Sequence, residues 1–90
     1  MFRMWGKIWK ENHLMQDVVV TNEDRELNRT RKVLHGLNEI CSALDLSVPI
    51  WLDANITEFQ KVSKTRFCAD HFIEQIDFDA LEIQVIEEDD

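Results

Sequence analysis

Near Asn22 the apolar spacing of this chain changes from an alternating to a helical period, and no other feature constrains the fold as much. Downstream of that point Leu27, Thr30, Leu34, Leu37, Cys41 and Leu44 recur in steps of three and four, with Val33 and Ile40 widening the stripe. Such a stripe is one face of a helix turned toward a core. Thr21 or Asn22 is placed to cap this helix, and Glu23 and Asp24 suit its positive N-terminal end. Asp45 to Pro49 should end it, because proline disfavours helical geometry in the residue before it.

The opening, Met1 to Lys10, fits either period. As a helix it gathers Met1, Met4, Trp5, Ile8 and Trp9 on one face and leaves Arg3, Lys7 and Lys10 elsewhere, the pattern of a membrane-surface helix. As a strand it sends Phe2, Met4 and Ile8 one way and Arg3, Trp5, Lys7 and Trp9 the other. Two features favour the strand. Gly6 in mid-segment would cost a helix about 1 kcal/mol relative to alanine. Glu11, Asn12 and His13 make a turn before Leu14 to Thr21, which contains the β-branched run Val18, Val19, Val20 and Thr21. The segment therefore reads as a hairpin.

Beyond the first helix, Ile50, Trp51 and Leu52 form an apolar knot. Asp53 or Asn55 can cap a second helix carrying Ile56, Phe59 and Val62 and ending near Lys64, and Asn55 with Glu58 has the layout of a capping box. Thr65 to Gln75 reads as irregular, with one short helical turn around Ala69 to Ile73. From Phe78 to Glu87, Leu81, Ile83 and Val85 alternate with Glu82 and Gln84, as in a half-buried strand. Ala80 beside Leu81 breaks the alternation and suggests a bulge. Glu87 to Asp90 should fray. Ninety residues with 44% apolar content suit a single small domain over 1–90 with one core.

The resulting order is β-β-α-α-β, an α+β fold with a three-stranded antiparallel sheet and both helices packed on one face. Charge sets the strand order. All ten lysines and arginines precede residue 67, whereas nine of the eighteen acids follow it. A basic first strand beside an acidic last strand puts Arg3 and Lys7 within reach of Glu82 and neighbouring acids, each pair adding roughly 0.2 to 1 kcal/mol. The predicted spatial order is 2-1-3.

Several function classes are disfavoured at once. A net charge of −8 opposes general binding to nucleic acid or anionic membranes. Two glycines and one proline argue against glycine-rich phosphate loops and disordered linkers. No stretch approaches the roughly 20 apolar residues that span a bilayer, and the start lacks the apolar run of a secretory signal. Cys41 and Cys68 are too few for a disulfide framework, so the expected address is the cytoplasm with both thiols reduced. A cofactor cradle would use much of so small a core, and none is expected.

Among candidate sites, the strand face of Arg3, Trp5, Lys7 and Trp9 is the leading interaction surface, since tryptophan and arginine are enriched where proteins bind one another. The competing explanation is that Trp51, a loop or a second copy covers it. Arg25, Arg29, Arg31, Lys32 and His35 make the first helix basic on its outward face, but Glu23, Asp24, Glu26 and Glu39 interrupt the cluster, which is a solvated face or one the acidic tail folds against. Cys68, Asp70 and His71 resemble half of a metal site without a second ligand pair, and nothing marks an orienting group for a Cys68–His71 dyad. Asp77, Asp79 and Glu82 form an acidic surface whose spacing does not match a calcium loop. Cys41 lies on the apolar stripe and belongs to the core.

The run Met4-Trp5-Gly6-Lys7-Ile8, Thr65-Arg66-Phe67, and Phe72 to Phe78 followed by Leu81-Glu82-Ile83-Gln84-Val85 resemble small uncharacterised proteins of clostridia and related bacteria. The resemblance spans nearly the whole chain and implies a bacterial cytoplasmic protein. It brings no catalytic residue with it. The expected function is accordingly non-enzymatic, acting through protein contacts as a homodimer or as an accessory subunit of an unidentified protein. Two alternatives are an acidic decoy for a basic nucleic-acid-binding partner and a metal protein or enzyme centred on Cys68 and His71.

Overall fold

The computed structural model describes residues 1–88. Two helices, α1 (Arg29–Ala43) and α2 (Asp53–Val62), accompany four strands, β1 (Phe2–Lys10), β2 (His13–Asn22), β3 (Lys64–Phe67) and β4 (Ala80–Glu87). The sheet is antiparallel throughout, in the order β2-β1-β4-β3. The first and last strands are neighbours, as the charge pattern predicts, but the sheet has four strands and not three.

The additional strand lies in the stretch that reads as irregular. Ser63, in the left-handed region at φ 56°, ends α2 and turns the chain back, and its amide donates to the Phe59 carbonyl at 2.9 Å. Lys64 to Phe67 then pair with β4, burying Thr65 and Phe67 and exposing Lys64 and Arg66. Four residues are too few for their alternation to stand out from a loop. A short 3-10 turn over Ala69–His71 follows, where a helical turn is expected.

Local chemistry sets the other boundaries. Glu11 and Asn12 both have positive φ, 52° and 65°, the backbone of a tight type I′ hairpin turn that matches the twist of β1 and β2. Helix α1 starts at Arg29, well after the expected caps. The Asn22 side chain accepts from the Asp24 amide at 2.8 Å and that of Asp24 from the Glu26 amide at 2.9 Å. These local bonds offer the backbone an alternative to the helix, and Asn28 caps it instead, through the Arg31 amide. At the far end the helix closes before the proline. Asp45 adopts φ 58°, and the Leu46 amide reaches back to the Cys41 carbonyl at 2.8 Å, a Schellman closure. In α2, Asn55 is not the cap; it sits inside the first turn, and its Oδ1 accepts from the Leu52 amide at 3.0 Å.

Both helices pack on the same side of the sheet. Phe2, Met4, Gly6 and Ile8 of β1 share that side with Leu81, Ile83 and Val85 of β4 and with Thr65 and Phe67 of β3, because directly paired residues project to one face. Val33, Leu37 and Ile40 of α1 and Phe59 of α2 complete the core. Gly6 allows α1 to come close, since a Cβ there would collide with Ile40 Cγ2. Trp51 belongs to this side too, edge-on to Phe59 and Phe67. Asn55 ties α2 to β3, its Nδ2 donating to Thr65 Oγ1 at 2.9 Å and to the Arg66 carbonyl at 3.0 Å.

The expected bulge at Ala80 is replaced by irregularities elsewhere. Between β1 and β4 the register shifts at Arg3/Met4, and between β1 and β2 at Ile8/Trp9. Of the four residues expected to fray, Glu87 ends β4 and Glu88 is held by Arg29 at 2.7 Å, while Asp89 and Asp90 lie outside the described residues. That ion pair is the acidic tail folding against the basic helix. Among the described residues, no helix is long and apolar enough to cross a membrane.

Candidate interaction surface

Among the described residues no second layer covers the side of the sheet opposite the helices, and the structure places Arg3, Trp5, Lys7 and Trp9 there. The register that sends Met4 and Ile8 into the core leaves the odd-numbered residues of β1 on this side. Glu82 and Gln84 of β4, Lys64 and Arg66 of β3, and Asp17 and Val19 of β2 join them by direct pairing.

These side chains form one connected array. Glu82 is its centre and retains only 5% of its accessible surface, with Lys7 beside it at 7%. Glu82 Oε1 accepts from the Trp9 indole at 2.8 Å and lies 3.5 Å from Lys7 Nζ and 3.7 Å from the Arg66 guanidinium. Its Oε2 is 4.0 Å from Lys64 Nζ. Lys7 Nζ also donates to Gln84 Oε1 at 3.1 Å and sits 4.0 Å above the Trp5 ring, whose indole N–H donates to Asp17 at 2.8 Å. Arg66 in turn covers Trp9, 5.5 Å from its ring. The array therefore crosses all four strands.

Physically, a buried carboxylate is tolerated here because three cations and an indole donor surround it. Lys7–Glu82 is the part that matters for stability, since removing one member of a buried pair leaves the other charge uncompensated. Lys64 and Arg66 have side chains 46% and 55% exposed, so each adds little to folding and remains available to solvent or a partner. Arg3 pairs with Glu87 at 3.4 Å at the rim. Trp5 and Trp9 are half-buried and hydrogen-bonded, so they act as fixed flat surfaces and not as loose apolar groups.

Asp77, Asp79 and Glu82, expected to form one acidic surface, are engaged in different ways. Glu82 is enclosed by the basic residues just described, and Asp79 accepts from the Glu11 amide at 2.7 Å, pinning the hairpin turn. Asp77 is exposed beside Phe78. Cys68 is exposed, and its backbone amide donates to His71 Nδ1 at 3.0 Å while its side chain faces the His71 backbone amide in a capping box, so the two residues cap a turn. The imidazole rests edge-on against Phe67. Among the described residues no three histidine, cysteine or acidic side chains come together as a metal-holding group. Cys41 is buried, and that burial pushes its thiol up from 9.0 to about 11.

On the helix side, a groove of about 340 Å³ lies between α1 and α2, lined by Val33, Leu34, Trp51, Ile56 and Phe59 among others. The Trp51 indole N–H is buried and, among the described residues, has no hydrogen-bond partner. Being inaccessible, it presents no donor to an occupant of the groove.

Sequence reasoning found the β1 half of the array and Glu82 but missed Lys64, Arg66 and Asp17. The signal for the first two was the alternation Lys64, Thr65, Arg66, Phe67, which becomes legible only once α2 is ended at Val62. No protein-family model, no curated protein and no solved structure matches the chain.

Proposed function

We propose that this is a non-enzymatic, cytoplasmic bacterial domain that works through protein contacts made on the open side of its sheet. The observation that carries the reading is the array around Glu82. A surface held in one arrangement by hydrogen bonds across three strands and by ion pairs to the fourth loses little conformational freedom on binding, and tryptophan and arginine are among the residues most enriched at the centre of protein interfaces. The carboxylate and both indole donors on this side are already satisfied within the chain, which argues for recognition and against proton transfer or nucleophilic chemistry there. Arg66 and Lys64 offer the reach, Trp5 and Trp9 the flat contact.

Native mass measurement of the protein purified from its own host tests this reading. An associated protein should copurify and be lost on Arg66→Glu combined with Lys64→Glu, but retained on Lys61→Glu, a charge reversal on α2. Association unaffected by the first pair of changes would overturn the proposal.

A further inference from the structure

The two edges of the sheet are built differently. β3 is four residues long, carries two cations, and already uses its Arg66 carbonyl to accept from Asn55. β2 has ten residues with no proline, lysine or arginine, and its one carboxylate, Asp17, is held by Trp5. Leu14, Met15 and Val19 on it are exposed at 44%, 56% and 40%. The bulge that skips Met15 interrupts this edge near its start, but from Gln16 to Asn22 the pairing with β1 is unbroken, and that stretch presents a row of unpaired N–H and C=O groups without the lysines or proline that usually blunt an edge.

β2 is also self-complementary, in one register. A two-fold axis perpendicular to a sheet preserves its faces, so a strand pairing antiparallel with its own copy must place one residue opposite itself. With Val19 on the axis, Val18 meets Val20, Asp17 meets Thr21 and Gln16 meets Asn22. Apolar residues then face apolar ones, the Thr21 hydroxyl can donate to the Asp17 carboxylate, and the two amides can bond one another. Moving the axis to Val18 sets Asp17 against Val19 and Gln16 against Val20. Moving it to Val20 sets Val18 against Asn22 and Asp17 against Glu23, a like-charge pair.

We infer that the edge of β2 takes a second copy of this chain, antiparallel about an axis at Val19. The pairing would double the four-stranded sheet and join the two open sides into one surface. Trp5, directly paired with Val19, would lie next to the axis in both copies. The inference rests on the reading that the sheet, and not the helices, makes this protein's contacts.

Light scattering on wild type, Val19→Lys and Val19→Glu at micromolar concentration tests it. Position 19 is exposed, so the fold should persist, which the thermal transition by circular dichroism verifies. Wild type should have twice the chain mass, each variant alone the chain mass, and an equimolar mixture of the two variants twice the chain mass again, because opposite charges then meet on the axis. A monomeric wild type, or dimers that persist in both variants, would overturn the inference. A monomeric wild type that still loses a copurifying protein on the Arg66 and Lys64 reversals would overturn the dimer alone. A dimer that responds as described, with no association sensitive to those reversals, would overturn only the wider reading of the open side.

Discussion

On one side of β1, Phe2, Met4 and Ile8 are sealed under α1 and matched by apolar residues of β4. On the other, Arg3, Trp5, Lys7 and Trp9 meet acids and amides. Adjacent residues of one strand thus serve two different kinds of cohesion. The helix side is held by shape, through contacts as close as that of Gly6 with Ile40. The open side is held by charge, through a carboxylate enclosed by cations. Shape seals the core beneath β1 and leaves Leu34 and Ile56 exposed along the groove between α1 and α2, whereas the charged array ties the four strands together and presents Lys64 and Arg66 outward beside two half-buried indoles.

If that contrast is right, changes on the two sides should fail in different ways. The largest effect is expected at the centre of the array. Glu82→Ala leaves Lys7 buried without its counter-ion and should lower unfolding free energy by about 3 to 5 kcal/mol, read by urea denaturation. Arg66→Ala, on the exposed rim of the same cluster, should cost no more than about 1 kcal/mol. Equal losses at the two positions would contradict the assignment of Glu82 and Lys7 as the buried pair.

Next comes the join between α2 and β3. Asn55→Ala removes bonds to the Leu52 amide, Thr65 Oγ1 and the Arg66 carbonyl, and should destabilise by about 2 to 3 kcal/mol, since buried polar groups are left unpaired. Hydrogen exchange should show the loss concentrated in β3. On the helix side, Gly6→Ala forces Ile40 aside and should cost about 1 to 3 kcal/mol through overpacking. Gly36→Ala meets the flexible Met4 thioether and gains about 1 kcal/mol of helix propensity, so it should be close to neutral.

A pH dependence is expected on the helix side alone. Burial raises the Cys41 thiol from 9.0 to about 11, so the folded state holds its proton after the unfolded chain has lost it. Its contribution is fully present below pH 9 and is lost as pH rises toward about 11. Cys41→Ala should flatten that part of the stability profile. Without unfolding, a thiol reagent should label the exposed Cys68 and spare Cys41.

How much of this was legible in the residues follows from the range of each interaction. The alternation of β1 and β4 separated the two faces before any contact was known, and the charge distribution placed those strands side by side. Lys7 with Glu82 and Arg3 with Glu87 are pairs that such reasoning could anticipate. Asn55 reads as a helix cap because its spacing to Glu58 imitates one, but two of its bonds run across the fold, to Thr65 and Arg66. Asn22 and Asp24 carry the right chemistry for caps and use it on neighbouring amides instead. β3 was missed because four alternating residues after a polar helix look like a loop until a partner strand is known. Cations from that strand complete the site, and without them Glu82 reads as part of an acidic surface.

The three tryptophans provide a direct test of the claim that contacts are made on the open side of the sheet. Trp5 and Trp9 lie on that side with hydrogen-bonded indoles, and Trp51 lies on the helix side with its indole N–H buried. Their indole N–H resonances can be followed by heteronuclear NMR as protein concentration is raised from dilute to concentrated solution. The Trp5 signal, beside Val19, should move furthest, Trp9 less, and Trp51 not at all. Movement of Trp51 while Trp5 and Trp9 stay fixed would place the contact on the helices and contradict the account.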